Sequence, residues 1–245
     1  MIAVVLGCNS NKSEEKQLLL YTGAGLRPPV AELAELFARQ HKIRVECDYA
    51  GSEVLLSRIK LTNRGDLYMP GDVHYVDMAE DAGLVGSKST VCYFVPAIVV
   101  QKGNPKNIHA LTDLTRSGVK IGLGDPKACA IGRKCCKIFA KNNISEEAIA
   151  KHVVFRSLTV TELINNIKLG TLDAVIVWDA VAAFAPNETE IVHIPTQQNI
   201  ISTVAIGTLK SSQYPKLAAQ FVDFITSEQA KEVFKKHHYT VAEPK

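Results

Sequence analysis

The sequence predicts an α/β fold of two lobes joined by two crossing strands. Three observations predict it. Short apolar strands alternate with helical stretches from residue 17 onward, the pattern of a parallel sheet. A long apolar run, residues 91–101, is interrupted by Pro96, as suits a chain passing from one lobe to another. A second apolar run, residues 202–209, offers the way back.

The elements follow in order. Residues 17–21 read as a strand that runs into Thr22-Gly23-Ala24-Gly25. Val30, Leu33, Ala34, Leu36 and Phe37 then fall at helical spacing over 30–40, behind prolines suited to a first turn. Residues 42–49 alternate as a strand, and Gly51-Ser52 opens a helix over 53–61. A strand at 66–69 and a helix at 73–82, ending at Gly83, complete three β-loop-α units. Beyond Pro96 the sequence predicts a short helix at 111–114, a strand at 120–123 and a helix at 126–142. Strand 153–155, helix 161–169 stopped by Gly170, and strands 174–178 and 191–194 follow. The tail, 215–237, reads as amphipathic helix. The expected division is 1–16 as a signal remnant or tether, 17–95 plus 203–245 as one lobe, and 96–202 as the other.

Composition excludes several classes. A net charge of +3 and 7% aromatics, scattered among the charges, argue against a nucleic-acid binder. No apolar run reaches the ~18 residues needed to span a bilayer. The start, M-I-A-V-V-L-G-C, resembles the lipobox of bacterial lipoproteins, with Cys8 as the lipidated residue and a polar tether after it. It lacks a charged n-region and is short, so either the start lies further upstream or the segment is a buried strand. The six cysteines show no C-x-x-C pair and are read as buried small hydrophobes.

The recurring chemical feature is a strand, a small-residue loop and a helix start. It occurs at Gly23-Ala24-Gly25, at Gly51-Ser52 and at Gly124-Asp125-Pro126-Lys127-Ala128. Helix N-termini present unpaired N–H groups and a partial positive charge, and small residues let an anion approach them. Ser52 adds a hydroxyl donor and Arg27 a full cation. No nucleotide loop or dinucleotide fingerprint is present. An enzyme would have to draw on Cys129, Asp125, Lys127 and His152, which form no recognisable nucleophile–base pattern, so no catalytic residue is assigned. A sensor domain is the third reading, without a DNA-binding helix pair at either end.

The motifs Y-T-G-A-G-L-R-P-P, Y-A-G-S-E-V-L-L-S-R-I, G-D-L-Y-M-P-G-D, G-D-P-K-A-C-A-I-G-R and L-G-T-L-D-A-V-I-V-W-D-A stand in the order seen in another group of proteins. In that order they resemble the molybdate/tungstate-binding proteins of ABC importers, across residues 18–237. The resemblance implies the type II periplasmic binding protein fold, export, a molybdate- or tungstate-type oxyanion as ligand and no cofactor. It also implies an ABC permease and ATPase as partners of a monomer, with a lipid anchor as the membrane contact. Carried over residue by residue, it points to backbone N–H groups of Ala24 and Gly25, with Gly25 where the family usually has Ser and Arg27 as compensation. It points further to Ser52, to Lys127 and Ala128, to Thr159, Val160 and Thr161, and to Trp178-Asp179 where the family often has Tyr. Asp72 and Asp179 are open between helix caps, partner contacts and hydrogen bonds to a protonated oxyanion. His237 and His238 read as surface residues.

Overall fold

The computed structural model describes residues 16–244; the segment containing Cys8 lies outside them. In chain order the elements begin with β1 (Gln17–Gly23), α1 (Arg27–His41), β2 (Arg44–Ala50), α2 (Ser52–Thr62), β3 (Leu67–Met69), α3 (Val73–Asp81), β4 (Val85–Phe94) and β5 (Pro96–Gln101). They continue with β6 (Ile121–Gly124), α4 (Ala130–Lys141), α5 (Glu146–Ala150), β7 (Val153–Ser157), α6 (Val160–Lys168), β8 (Ala174–Trp178) and α7 (Asp179–Ala182). The last are β9 (Thr189–His193), β10 (Ser202–Leu209), α8 (Pro215–Ile225) and α9 (Glu228–Lys236).

Two five-stranded sheets organise the chain. The first has the order β2-β1-β3-β10-β4 and the second β7-β6-β8-β5-β9. In the first, β1 pairs parallel with β2 and β3, as the three β-loop-α units require, and β10 runs antiparallel to β3 and β4. Leu18 and Leu20 of β1 are fully buried, and α1 lays Val30, Leu33 and Phe37 over that layer. The second sheet centres on β8, whose five residues are all buried, between parallel β6 and antiparallel β5. Gly83 and Gly170 end α3 and α6 with φ of +73° and +70°, a conformation open to glycine without cost.

The chain passes from the first sheet to the second at Val95, between β4 and β5. It returns through residues 199–201 into β10. The two passages lie side by side: Phe94 pairs with Ser202, and Asn199 donates its Nδ2 to the Pro96 carbonyl at 2.8 Å. The expected crossing run is therefore two strands, one per sheet, and the second crossing lies just before residues 202–209 rather than along them.

A buried ion pair also bridges the sheets' layers. Lys134 of α4 lies 2.6 Å from Asp72, the N-cap of α3, and both side chains are nearly enclosed. Asp72 also accepts from the His74 N–H at 2.9 Å and from the Ser202 hydroxyl, so its lone pairs are well occupied.

Several boundaries differ from expectation. β4 begins at Val85, earlier than its apolar stretch, because Gly86–Lys88 lie on an exposed edge and carry no apolar alternation. Helix α4 starts at Ala130 rather than at 126: Asp125 takes the N–H groups of Lys127, Ala128 and Cys129 and holds a turn there. The tail is two helices, because the Ser227 hydroxyl caps the N–H of Ala230 and starts a new one. The short helices α5 and α7 carry too few residues for a periodic signal. Cys92, Cys129 and Cys135 are buried as expected, whereas Cys136 is exposed on α4. No described cysteine is in a disulfide.

Replacing Lys134 by Met leaves the Asp72 carboxylate buried without its cation. Urea unfolding of Lys134→Met should show a loss of about 3 kcal/mol, largely recovered in the Asp72→Asn, Lys134→Met double variant.

Candidate functional site

In open α/β sheets ligands bind beyond the carboxyl ends of the strands, and both sheets point those ends at one cleft. The cavity there is walled by Gly23, Ala24 and Gly25 after β1, Gly51 and Ser52 after β2, and Gly71 after β3. The other wall is Cys129, Ala130 and Ile131 at the start of α4, Thr159 and Val160 at the start of α6, and Trp178 at the end of β8, with Phe94 at the crossing. It offers about 20 Å³ to the centre of a water-sized sphere, equivalent to a void of roughly 3 Å radius. None of these lining residues is charged.

The donors are backbone N–H groups at helix starts and one hydroxyl. Ser52 is 3% exposed; its Oγ accepts the Gly71 N–H at 3.1 Å, which leaves the hydroxyl proton free to donate into the cavity. The first N–H groups of α4 and α6, at Ala130, Ile131 and Val160, have no partner within their own helices. Four helices of eight residues or more thus direct their positive ends at this cavity, where α1 is reached through the 3-10 turn Ala24–Leu26.

Trp178 and Phe94 floor the cavity. Their rings stack with centroids 4.7 Å apart and planes 3° from parallel. A Cβ at Gly25 would lie 3.0 Å from Val160 Cγ2 and 3.2 Å from Trp178 Cδ1, the ring carbon beside the indole N–H. The indole therefore fills the space that a side chain at position 25 would need. The Tyr239 hydroxyl donates to the Gly25 carbonyl and fixes that loop from behind.

The structure brings Ala24, Gly25, Ser52, Val160 and Trp178 together, with Thr159, and leaves the other expected residues outside the lining. Arg27 is exposed, with its guanidinium 4.1 Å above the Tyr49 ring. The Lys127 N–H donates to Asp125 Oδ1 at 2.8 Å and the Ala128 N–H to the Asp125 carbonyl at 3.1 Å, so both expected donors are already engaged. Thr161 sits on the first turn of α6, half-buried and off the wall. Asp179 turns away into a separate pocket with His193 and His238; its Oδ1 accepts the Ala180 N–H at 2.7 Å, and burial pushes its carboxyl above the usual range. Asp72 caps α3. His238 is exposed, and His237 is half-buried against Glu32 at 2.8 Å.

The sequence motifs did not point to Gly71, Phe94, Ala130 and Ile131, which also line the cavity. Gly71 belongs to the M-P-G-D loop after β3, the same small-residue signature as its neighbours. Phe94 stands just before the Pro96 break. Ala130 and Ile131 were displaced from view by placing the start of α4 too early.

The burial of Cys129 in the cavity wall pushes its thiol up to about 11, and Cys92 and Cys135 are raised as well. None is an activated nucleophile. Among the described residues no His, Cys, Asp and Glu cluster could hold a metal ion, and no helix is long and apolar enough to cross a membrane.

Two α/β lobes, two adjacent passages and an uncharged cavity of N–H donors define a solute-binding protein. The chain belongs to the family described as bacterial extracellular solute-binding protein, which it matches over residues 18–240. Such proteins bind and release; they are not enzymes. A putative binding protein of Haemophilus influenzae is 30% identical over 89% of this chain and 88% of its own length. A molybdate-binding protein of Mycobacterium tuberculosis is 25% identical over 95% and 91%. Among solved structures, the periplasmic molybdate-binding protein of Azotobacter vinelandii superposes with a TM-score of 0.77 at 16% identity, covering 92% of this chain and all of that one. The sulfate-binding protein of M. tuberculosis superposes at 0.82 and 18%, covering 94% and 88%. These likenesses establish the type II periplasmic binding protein fold.

A carboxyl raised by burial favours its protonated form in the folded state, so its contribution to stability is present at low pH and lost as pH rises through the folded value. Asp179→Asn should raise Tm at pH 7–8 by about 1–2 °C, with the gain vanishing below about pH 4. Calorimetric melting across that range checks it.

Proposed function

We propose that this chain is the extracytoplasmic binding component of an ABC importer and captures a tetrahedral oxyanion of the molybdate or tungstate kind in the cleft. The lobes in this reading are residues 17–95 with 203–245, and residues 96–202. The observation that carries it is the cavity itself: helix N-termini, the Ser52 hydroxyl and the Trp178 indole edge around a void of roughly 3 Å radius, with no cation in the wall. A small dianion is held there by many oriented dipoles, whereas an organic ligand would need far more room.

The permease and ATPase of the importer are the partners, and the closed monomer is the form the permease receives. Cys8 serves as the lipid attachment point, holding the protein at the outer face of the membrane. The resemblance to a sulfate-binding protein supports a second reading, in which sulfate is the cargo. Both anions are tetrahedral dianions, and the closed cavity must discriminate them by size.

The test is calorimetric titration of the protein beginning at Gln17 with molybdate, tungstate, sulfate and phosphate. One-to-one binding of the first two alone carries the proposal. Sulfate binding alone shifts the cargo to the second reading, and no heat from any of the four rejects the oxyanion class. Ser52→Ala removes one charge-assisted hydrogen bond and should weaken binding about tenfold or more. Arg27→Ala, outside the wall, should change affinity by less than about threefold at physiological salt.

A further inference from the structure

The loop between β2 and α2 meets the opposite lobe in a way that its backbone conformation does not explain. Gly51 has φ −67° and ψ 148°, which any residue adopts. A Cβ built there would nevertheless lie 2.6 Å from the Ala128 carbonyl oxygen, 2.6 Å from that of Leu158 and 3.3 Å from the Ala128 carbonyl carbon. All three atoms are backbone, and all belong to the other lobe. Two residues on, the Glu53 N–H in the first turn of α2 donates to the same Ala128 oxygen at 3.1 Å.

Local hydrogen bonds restrain the loops that carry the two carbonyls. The Asp125 N–H donates to the Ser157 carbonyl at 2.7 Å and ties their loops together. Asp125 in turn holds the N–H groups of Ala128 and Cys129 at 3.1 and 3.0 Å, and the Leu158 N–H is fixed by Glu162 at 3.2 Å.

We infer that Gly51 is a positioning residue for ligand capture, the stop that sets how closely the lobes approach. Its missing side chain lets the start of α2 dock on the Ala128 carbonyl, which brings Ser52 and the N-termini of α4 and α6 within reach of one small anion. This deepens the oxyanion reading by naming what fixes the closed cavity's width. When the lobes part, a methyl group at position 51 meets none of these three atoms, so the substitution acts on closure and not on folding.

The test is amide hydrogen exchange, read by NMR, on the ligand-free protein and its Gly51→Ala variant, with Gly86→Ala on the edge strand as control. In the wild type the Glu53 amide is protected only while the lobes are closed. It should exchange at least about tenfold faster in Gly51→Ala, while the amides of Leu55 and Asp66, bonded within the first lobe to Gly51 and Leu19, keep their protection. Equal exchange at Glu53 in wild type and variant overturns the inference. So does joint loss of protection at Glu53, Leu55 and Asp66, which marks a folding defect. Titration with molybdate is the second arm: Gly51→Ala should bind at least about tenfold more weakly than wild type and Gly86→Ala like wild type. Wild type that ignores molybdate sinks the oxyanion reading, and the Glu53 exchange in the ligand-free protein still decides the role of Gly51.

Discussion

A buried peptide N–H without an acceptor costs free energy, and the first turn of every helix contains several. The two sheets of this protein aim their strand ends at a common cleft, so the helices that follow deliver those groups to one place. The arrangement leaves a space whose walls are short of acceptors and whose field is positive without any cation. The small residues at 23–25, 51 and 71, the floor of Trp178 on Phe94, and the closeness of the lobes together keep the space narrow.

Much of this was legible in the chain. Three strand–loop–helix units announced the parallel part of the first sheet, and the apolar runs around Pro96 and at residues 202–209 marked where the chain changes sheets. The small-residue loops pointed to the cavity-facing starts of α1 and α2. The loop before α4 misled because a proline at 126 looks like a helix start. One residue, Asp125, takes three N–H groups into a turn, one on its carboxylate and two on its backbone carbonyl, and the helix starts at Ala130. Arg27 misled in a different way. A cation near the right loop invites pairing with an anion, but its guanidinium rests on Tyr49. Contacts between segments distant in sequence, such as Gly51 against Leu158 or Lys134 against Asp72, have no local periodicity that would reveal them.

Gly25 and Trp178 face each other across the cavity, so the composition of one wall constrains the other. With no side chain at Gly25, Val160 Cγ2 and Trp178 Cδ1 stand where a Cβ there would meet them at 3.0 and 3.2 Å. The fold is shared with both molybdate- and sulfate-binding proteins.

Trp178 is the single tryptophan of the chain, and it sits at 2% exposure, stacked on the residue that precedes the first passage between lobes. Light absorbed at the red edge of the protein spectrum is therefore absorbed by one ring, at the floor of the cleft and beside the hinge. The red-edge emission of this protein is a local signal, arising at one position in the cleft without a label.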